Sequence, residues 1–152
     1  MKKLQFRKDI HASAEKVYDM MLGISNTETY QQWTSEFNPT STYEGSWEKG
    51  SKVYFVGTDE NGKRGGMVSE IAGNIPSRFV SIRHYGILDG ENEITTGAEV
   101  EKWAGSFENY AFEENNGVTT VIVDLDTVED YMDYFEETYP KALDKLKEIA
   151  EK

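Results

Sequence analysis

The last stretch of the chain, Thr127 to Lys152, most constrains what it can fold into. Apolar residues recur at Val128, Tyr131, Met132, Phe135, Tyr139, Ala142, Leu143, Leu146, Ile149 and Ala150. That spacing is the period of an amphipathic helix with a broad dry face. Glu, Asp and Lys fill most other positions, so the opposite face is wet. Thr127 is the expected N-cap, with Glu129 and Asp130 in the first turn, where the helix dipole favours acids. Pro140 lacks an N–H and crowds the Glu136 carbonyl, which predicts a kink or a junction of two helices. A helix with so wide an apolar face must lie on a large apolar surface, and the rest of the chain has to supply it.

Upstream, the period is mostly two. Lys3 to Ile10 alternates as a half-buried strand, with Leu4, Phe6 and Ile10 in phase. Ser13 caps a helix with Val17, Tyr18, Met21 and Leu22 as its buried stripe and Gly23 as its stop. A second short helix covers Thr27 to Trp33, and Asn38-Pro39 ends that region. Six further strands are expected at Ser41–Trp47, Lys52–Thr58, Gly66–Ile75, Arg78–Ile87, Lys102–Glu113 and Val118–Asp126. Turns at Glu48-Lys49-Gly50, Asp59-Glu60-Asn61-Gly62 and Asn115-Asn116-Gly117 make hairpins of them. Asp89 to Glu101 is polar and reads as a long loop. Strand, two helices, six strands and one long helix describe an α+β domain spanning residues 1–152. Its seven-stranded curved antiparallel sheet has one face free for the terminal helix.

Composition narrows the function. The 152 residues carry a formal charge of −12, which disfavours nucleic acid and anionic membrane surfaces as partners. There is no Cys, hence no disulfide framework and no thiolate chemistry. The N-terminus lacks the apolar core of a signal peptide, so the expected location is cytoplasmic. No membrane insertion and no cofactor are expected.

Candidate chemistry is sparse. Gly57 to Arg64 almost spells a phosphate-binding loop, but Arg64 replaces the required hydroxyl, no helix follows, and Asp59 and Glu60 repel phosphate. It is a hairpin. Asp124, Asp126, Glu129 and Asp130 lack the glycine turn and spacing of a calcium loop. With two His and no Cys, a structural zinc site is not expected. His11 should be exposed. His84 falls in phase with Val80 and Ile82, on the dry face, where it is either a satisfied core histidine, a polar anchor for a ligand or a proton carrier. No nucleophile elbow supports a serine triad. Trp33, Phe55, Trp103, Phe107, Phe135 and Tyr139 can point between sheet and helix, although the phase from Trp103 to Phe112 stays open. A curved sheet around one helix leaves space beside Met132 and Phe135.

Several motifs occur in an order that resembles a known superfamily. They are Ile10-His11-Ala12-Ser13-Ala14-Glu15-Lys16-Val17-Tyr18, Gly45-Ser46-Trp47-Glu48-Lys49-Gly50 and Gly65-Gly66-Met67. Ser81-Ile82-Arg83-His84-Tyr85-Gly86, Trp103-Ala104-Gly105-Ser106-Phe107-Glu108-Asn109-Tyr110 and Tyr139-Pro140-Lys141-Ala142-Leu143-Asp144-Lys145-Leu146 follow. Together they resemble the SRPBCC or START-like superfamily, which has the helix-grip fold of the birch-pollen allergen. Within it, the chain is similar to the branch called activator of heat-shock-protein-90 ATPase homologue-like. The resemblance implies a cavity between sheet and terminal helix that holds a hydrophobic small molecule: a lipid, a flavonoid or a polyketide-like compound. The expected lining is Trp33, Phe55, Met67, Ile82, His84, Trp103, Phe107, Met132, Phe135 and Tyr139, with His84 as polar anchor. The helix before Pro140 would wall the cavity, and the part after it would close the core. Two other expectations remain: a cyclase- or hydratase-like enzyme with His84 or a buried acid as proton carrier, and a chaperone-associated protein-interaction module.

Overall fold

A computed structural model describes residues Met1–Lys152. The elements in chain order are β1 (Lys2–Ile10), α1 (Ala14–Leu22), α2 (Thr27–Thr34), β2 (Thr42–Gly45), β3 (Lys52–Thr58), β4 (Arg64–Ile75) and β5 (Phe79–Asp89). Then come β6 (Asn92–Ile94), α3 (Ala98–Glu101), β7 (Ser106–Asn115), β8 (Val118–Thr127), a 3-10 turn at Glu129–Tyr131 and α4 (Met132–Ala150). The expected α+β architecture is present. The sheet is antiparallel throughout, in the order β1-β8-β7-β5-β4-β3-β2, with the short β6 paired to β5 outside that path. It therefore has eight strands; seven were expected. The extra one, with α3, lies in the segment expected to be a loop. All three residues of β6 are exposed, so they carry no alternation of burial to betray a strand.

Local chemistry sets the element ends. Ser13 accepts from the Lys16 N–H at 3.2 Å and starts α1, and Gly23 ends it at φ 70°. Asn26 accepts from the Glu28 N–H at 3.0 Å and starts α2. Thr127, the expected cap of the terminal helix, instead closes β8 and hydrogen-bonds the Val128 carbonyl. The chain then takes a 3-10 turn before α4, whose N-cap position is Tyr131 with no side-chain cap. Pro140 does not divide the helix: α4 runs unbroken from Met132 to Ala150.

One core joins the layers. Leu143, Leu146 and Ala142 of α4 are fully buried, together with Val17, Met21 and Leu22 of α1 and the inward residues of the sheet. Burying each large apolar side chain contributes about 1.5–3 kcal/mol before chain entropy is set against it. α4 packs on β1, α2 and α1. Two register shifts break the β4–β5 ladder, one between Val68 and Ser69 and one between Ile71 and Gly73. At the first, Tyr85 is the extra residue, since Gly86 pairs with Val68 and His84 with Ser69. Such bulges bend a strand and re-aim its side chains. No helix is long and apolar enough to cross a membrane.

Candidate functional site

A cleft of about 620 Å³ opens where the β3–β4 end of the sheet meets the N-terminal half of α4. Its existence follows from side chains that are not there. Strand pairing sets Phe55 opposite Met67 and Gly57 opposite Gly65. Paired residues share a face and alternate residues return to it, so the inner face of the sheet carries two large side chains and then two bare positions. Phe37, after α2, and Tyr134 of α4 also line the cleft, with ring centroids 6.2 Å apart. Asn38 lies over Gly57, donating to the Thr58 carbonyl at 3.1 Å. The rim is charged but internally paired. Lys63 meets Asp89 at 2.7 Å, and Arg64 holds Glu44 through both terminal nitrogens at 2.6 and 2.7 Å. The stretch that almost spelled a phosphate loop is the hairpin forming this rim, with Asp59 accepting from the Asn61 and Lys63 N–H groups.

Behind Phe55 lies a polar network inside the core. Ser69 Oγ is 2.6 Å from His84 Nδ1, and His84 Nε2 is 2.9 Å from Glu108 Oε1. Glu108 Oε2 accepts from the Tyr110 hydroxyl at 2.9 Å and also from the Tyr139 hydroxyl. Ser69 is fully buried, and His84, Tyr110 and Tyr139 nearly so. Burial pushes the Glu108 carboxyl up. The hydrogen bond and charge of His84 and the two tyrosine hydroxyls outweigh it, and the group is held below its ordinary value. Burial first, then the Glu108 charge, pushes the Tyr110 and Tyr139 hydroxyls well above the ordinary phenol value. Both are therefore protonated donors at neutral pH. The Phe55 ring, which lines the cleft, stands edge-on to the His84 ring with centroids 5.9 Å apart.

No family model matches the sequence, and no curated protein matches it. Solved structures do match. The chain is similar to the Aha1 dimer from Colwellia psychrerythraea, at 22% identity and TM-score 0.71, over 99% of this chain and 97% of that one. The chain has the helix-grip fold. Protein NE0264 from Nitrosomonas europaea aligns at 11% identity and TM-score 0.72, over 97% and 93% of the two chains. CalU16 from Micromonospora echinospora aligns at 14% and 0.65, over 97% and 73%. At these identities the likeness is one of fold.

Within the helix-grip frame the expected lining residues separate into groups. Phe55 and Met67 line the cleft. Trp33, Ile82, His84 and Tyr139 lie in the packed core, where Tyr139 sits among Phe6, Trp33, Phe37 and Phe135. The Trp33 indole N–H donates to the Met21 carbonyl at 2.8 Å. Both His84 ring nitrogens are engaged by Ser69 and Glu108. Met132 and Phe135 are partly buried, on the part of α4 that carries Tyr134 to the cleft. Trp103 precedes β7 and lies in the turn after α3, not in a strand. Phe107 pairs with Arg83, on the face opposite that of the His84–Ser106 and Ile82–Glu108 pairs, so it points away from α4. His11 is exposed, as expected.

Sequence reading missed Ser69, Glu108 and Tyr110, and the cleft residues Phe37, Gly57, Gly65 and Tyr134. Part of the signal was present. Ser106, Glu108, Tyr110 and Phe112 share one phase of β7, and an acid in phase with buried aromatics needs partners. Ser69 is likewise in phase with Met67 and Ile71 on β4.

Proposed function

We propose that this domain binds a small, flat, largely apolar molecule in the cleft between the β3–β4 end of the sheet and α4. The observation that carries the reading is the bare Gly57–Gly65 pair beside Phe55 and Met67, faced by Phe37 and Tyr134. A ring compound laid there covers the apolar surface of Phe55, Met67, Phe37 and Tyr134. The volume, about 620 Å³, falls in the range of roughly 300–1,000 Å³ usual for small-molecule sites. Lys63 and Arg64 are already paired to carboxylates, so the rim offers an anionic group little. This argues for flavonoid- or polyketide-like rings over fatty acids.

The test is an NMR titration with a flavonoid, a naphthol and a fatty acid, on the wild type and on Gly65→Phe. A Cβ at Gly65 meets only the Leu88 carbonyl oxygen, at 3.4 Å, an ordinary contact, so the backbone accepts a side chain there and the ring of Phe is directed at the cleft that Gly65 lines. Ring compounds are expected to shift the Phe55, Met67 and Tyr134 signals in the wild type and to lose affinity at least tenfold in Gly65→Phe, whose melting temperature stays close to wild type. Ring binding that is indifferent to Gly65→Phe, or no ring binding at all, rules the cleft out.

A further inference from the structure

The buried network behind the cleft has a direction. The Tyr110 and Tyr139 hydroxyls donate to Glu108 Oε2, and His84 Nε2 lies 2.9 Å from Oε1. A carboxylate surrounded by those donors is ionised, and an ionised carboxylate only accepts. Its depressed titration agrees with this. His84 Nε2 therefore carries a proton. In the neutral imidazole the other nitrogen, Nδ1, is then a lone pair, and the group facing it at 2.6 Å is the Ser69 hydroxyl. Ser69 donates to His84, and His84 donates to Glu108. Every proton in this line is spent inward. What is left at the Ser69 end is an oxygen with lone pairs and no proton to give.

That oxygen sits one step from the cleft. Ser69 follows Met67 on the inner face of β4, opposite Val53, while Met67 lies opposite Phe55. Phe55 is only partly buried, lines the cleft and touches the His84 ring. Ser69 itself is fully buried, and the Phe55 ring stands between the cleft and the His84 ring that Ser69 contacts.

We propose that the ligand of this cleft is a hydrogen-bond donor, a phenol or alcohol on a flat apolar ring, whose hydroxyl is accepted by Ser69 Oγ with the Phe55 side chain displaced. The proposal rests on the cleft-binding reading and sharpens it. An ether of the same shape has no proton to offer. A carboxylate meets an oxygen that cannot donate and, beyond it, the negative charge of Glu108. Specificity follows from the mismatch, because a buried acceptor set against an acceptor is worse than one left alone.

The test compares three matched probes at about pH 7.5: a naphthol, its methyl ether and the corresponding naphthoate, by NMR titration. The naphthol is expected to bind roughly three- to tenfold more tightly than the ether, the yield of one net hydrogen bond, and the naphthoate most weakly. Ser69→Ala should erase the difference between naphthol and ether, and Ser69→Thr, which keeps the hydroxyl, should preserve it. Nitrogen-15 shifts of His84 in the free protein should show a protonated Nε2 and a bare Nδ1. Equal affinity for naphthol and ether, with shifts at the cleft, overturns the donor proposal and leaves cleft binding standing. A doubly protonated His84 overturns it as well, since Ser69 would then have a proton to give. Failure of all three probes to shift the cleft overturns both readings.

Discussion

Tyr139 of α4 donates its hydroxyl to Glu108 of β7, and so ties the terminal helix to the middle of the sheet through a buried charge. The same carboxylate oxygen accepts from Tyr110. Hydrogen bonds to a charged acceptor contribute about 1.5–3 kcal/mol each. Tyr139→Phe keeps the ring, which stacks on Phe6 at 5.0 Å, and removes only the donor. Urea unfolding of Tyr139→Phe is expected to show a loss in that range with an unchanged m-value. A loss below about 0.5 kcal/mol would mean that Tyr110 and His84 satisfy Glu108 without help from the helix.

Glu108 also sets an acid limit. Its folded value lies below the ordinary 4.5. A depressed carboxyl contributes stability that is fully present above the unfolded value and is lost as pH falls through the folded one. The stability gap between wild type and Glu108→Gln, from urea unfolding, should therefore be widest near neutral pH and shrink as pH drops below 4.5. A gap that is flat with pH would show that the carboxyl is not ionised in the folded protein.

How much of this was legible beforehand varies with the physical signal. The helix from Phe135 to Ile149 was readable because its period is dictated by burial, and that burial is present at Tyr139, Leu143 and Leu146. The hairpins were readable because Gly62 and Gly117 hold positive φ. β6 was not, because its residues are exposed on both faces. The phase of the strand before Asn115 stayed open because aromatics occupy both phases, Phe107 in one and Tyr110 and Phe112 in the other; pairing with β5 decides it. The cleft was hidden for a different reason. Apolar periodicity reports side chains that are present, whereas the site is made by Gly57 and Gly65, whose meeting depends on register across the hairpin.

Neighbouring glycines should behave in opposite ways. A Cβ on Gly66 would lie 1.9 Å from the Phe55 carbonyl oxygen, whereas one on Gly65 has only ordinary contact at 3.4 Å. Backbone cannot yield as a flexible side chain does. Gly66→Ala is expected to cost more than about 4 kcal/mol or to prevent folding, and Gly65→Ala to stay within about 1 kcal/mol of wild type. Thermal melts of the two variants decide it. Comparable melting temperatures would mean that the β3–β4 ladder is looser than the pairing of Phe55 with Met67 implies.

Pro140 is exposed, yet it sits within an unbroken helix directly after Tyr139. A proline there removes one backbone hydrogen bond and crowds the Glu136 carbonyl, at a cost of about 3 kcal/mol relative to Ala. Part of that is offset, because proline also restricts the unfolded chain. Pro140→Ala should therefore raise stability by about 1–2 kcal/mol if the helix needs nothing from the proline. The alternative is that the local shape at Pro140 delivers the Tyr139 hydroxyl to Glu108. The double variant Pro140→Ala with Tyr139→Phe separates the two. Stabilisation by Pro140→Ala of the same size in both backgrounds makes the proline a plain burden on the helix. A single Pro140→Ala variant that is neutral or destabilised, alongside a stabilised double variant, makes it the element that aims Tyr139 at the buried carboxylate.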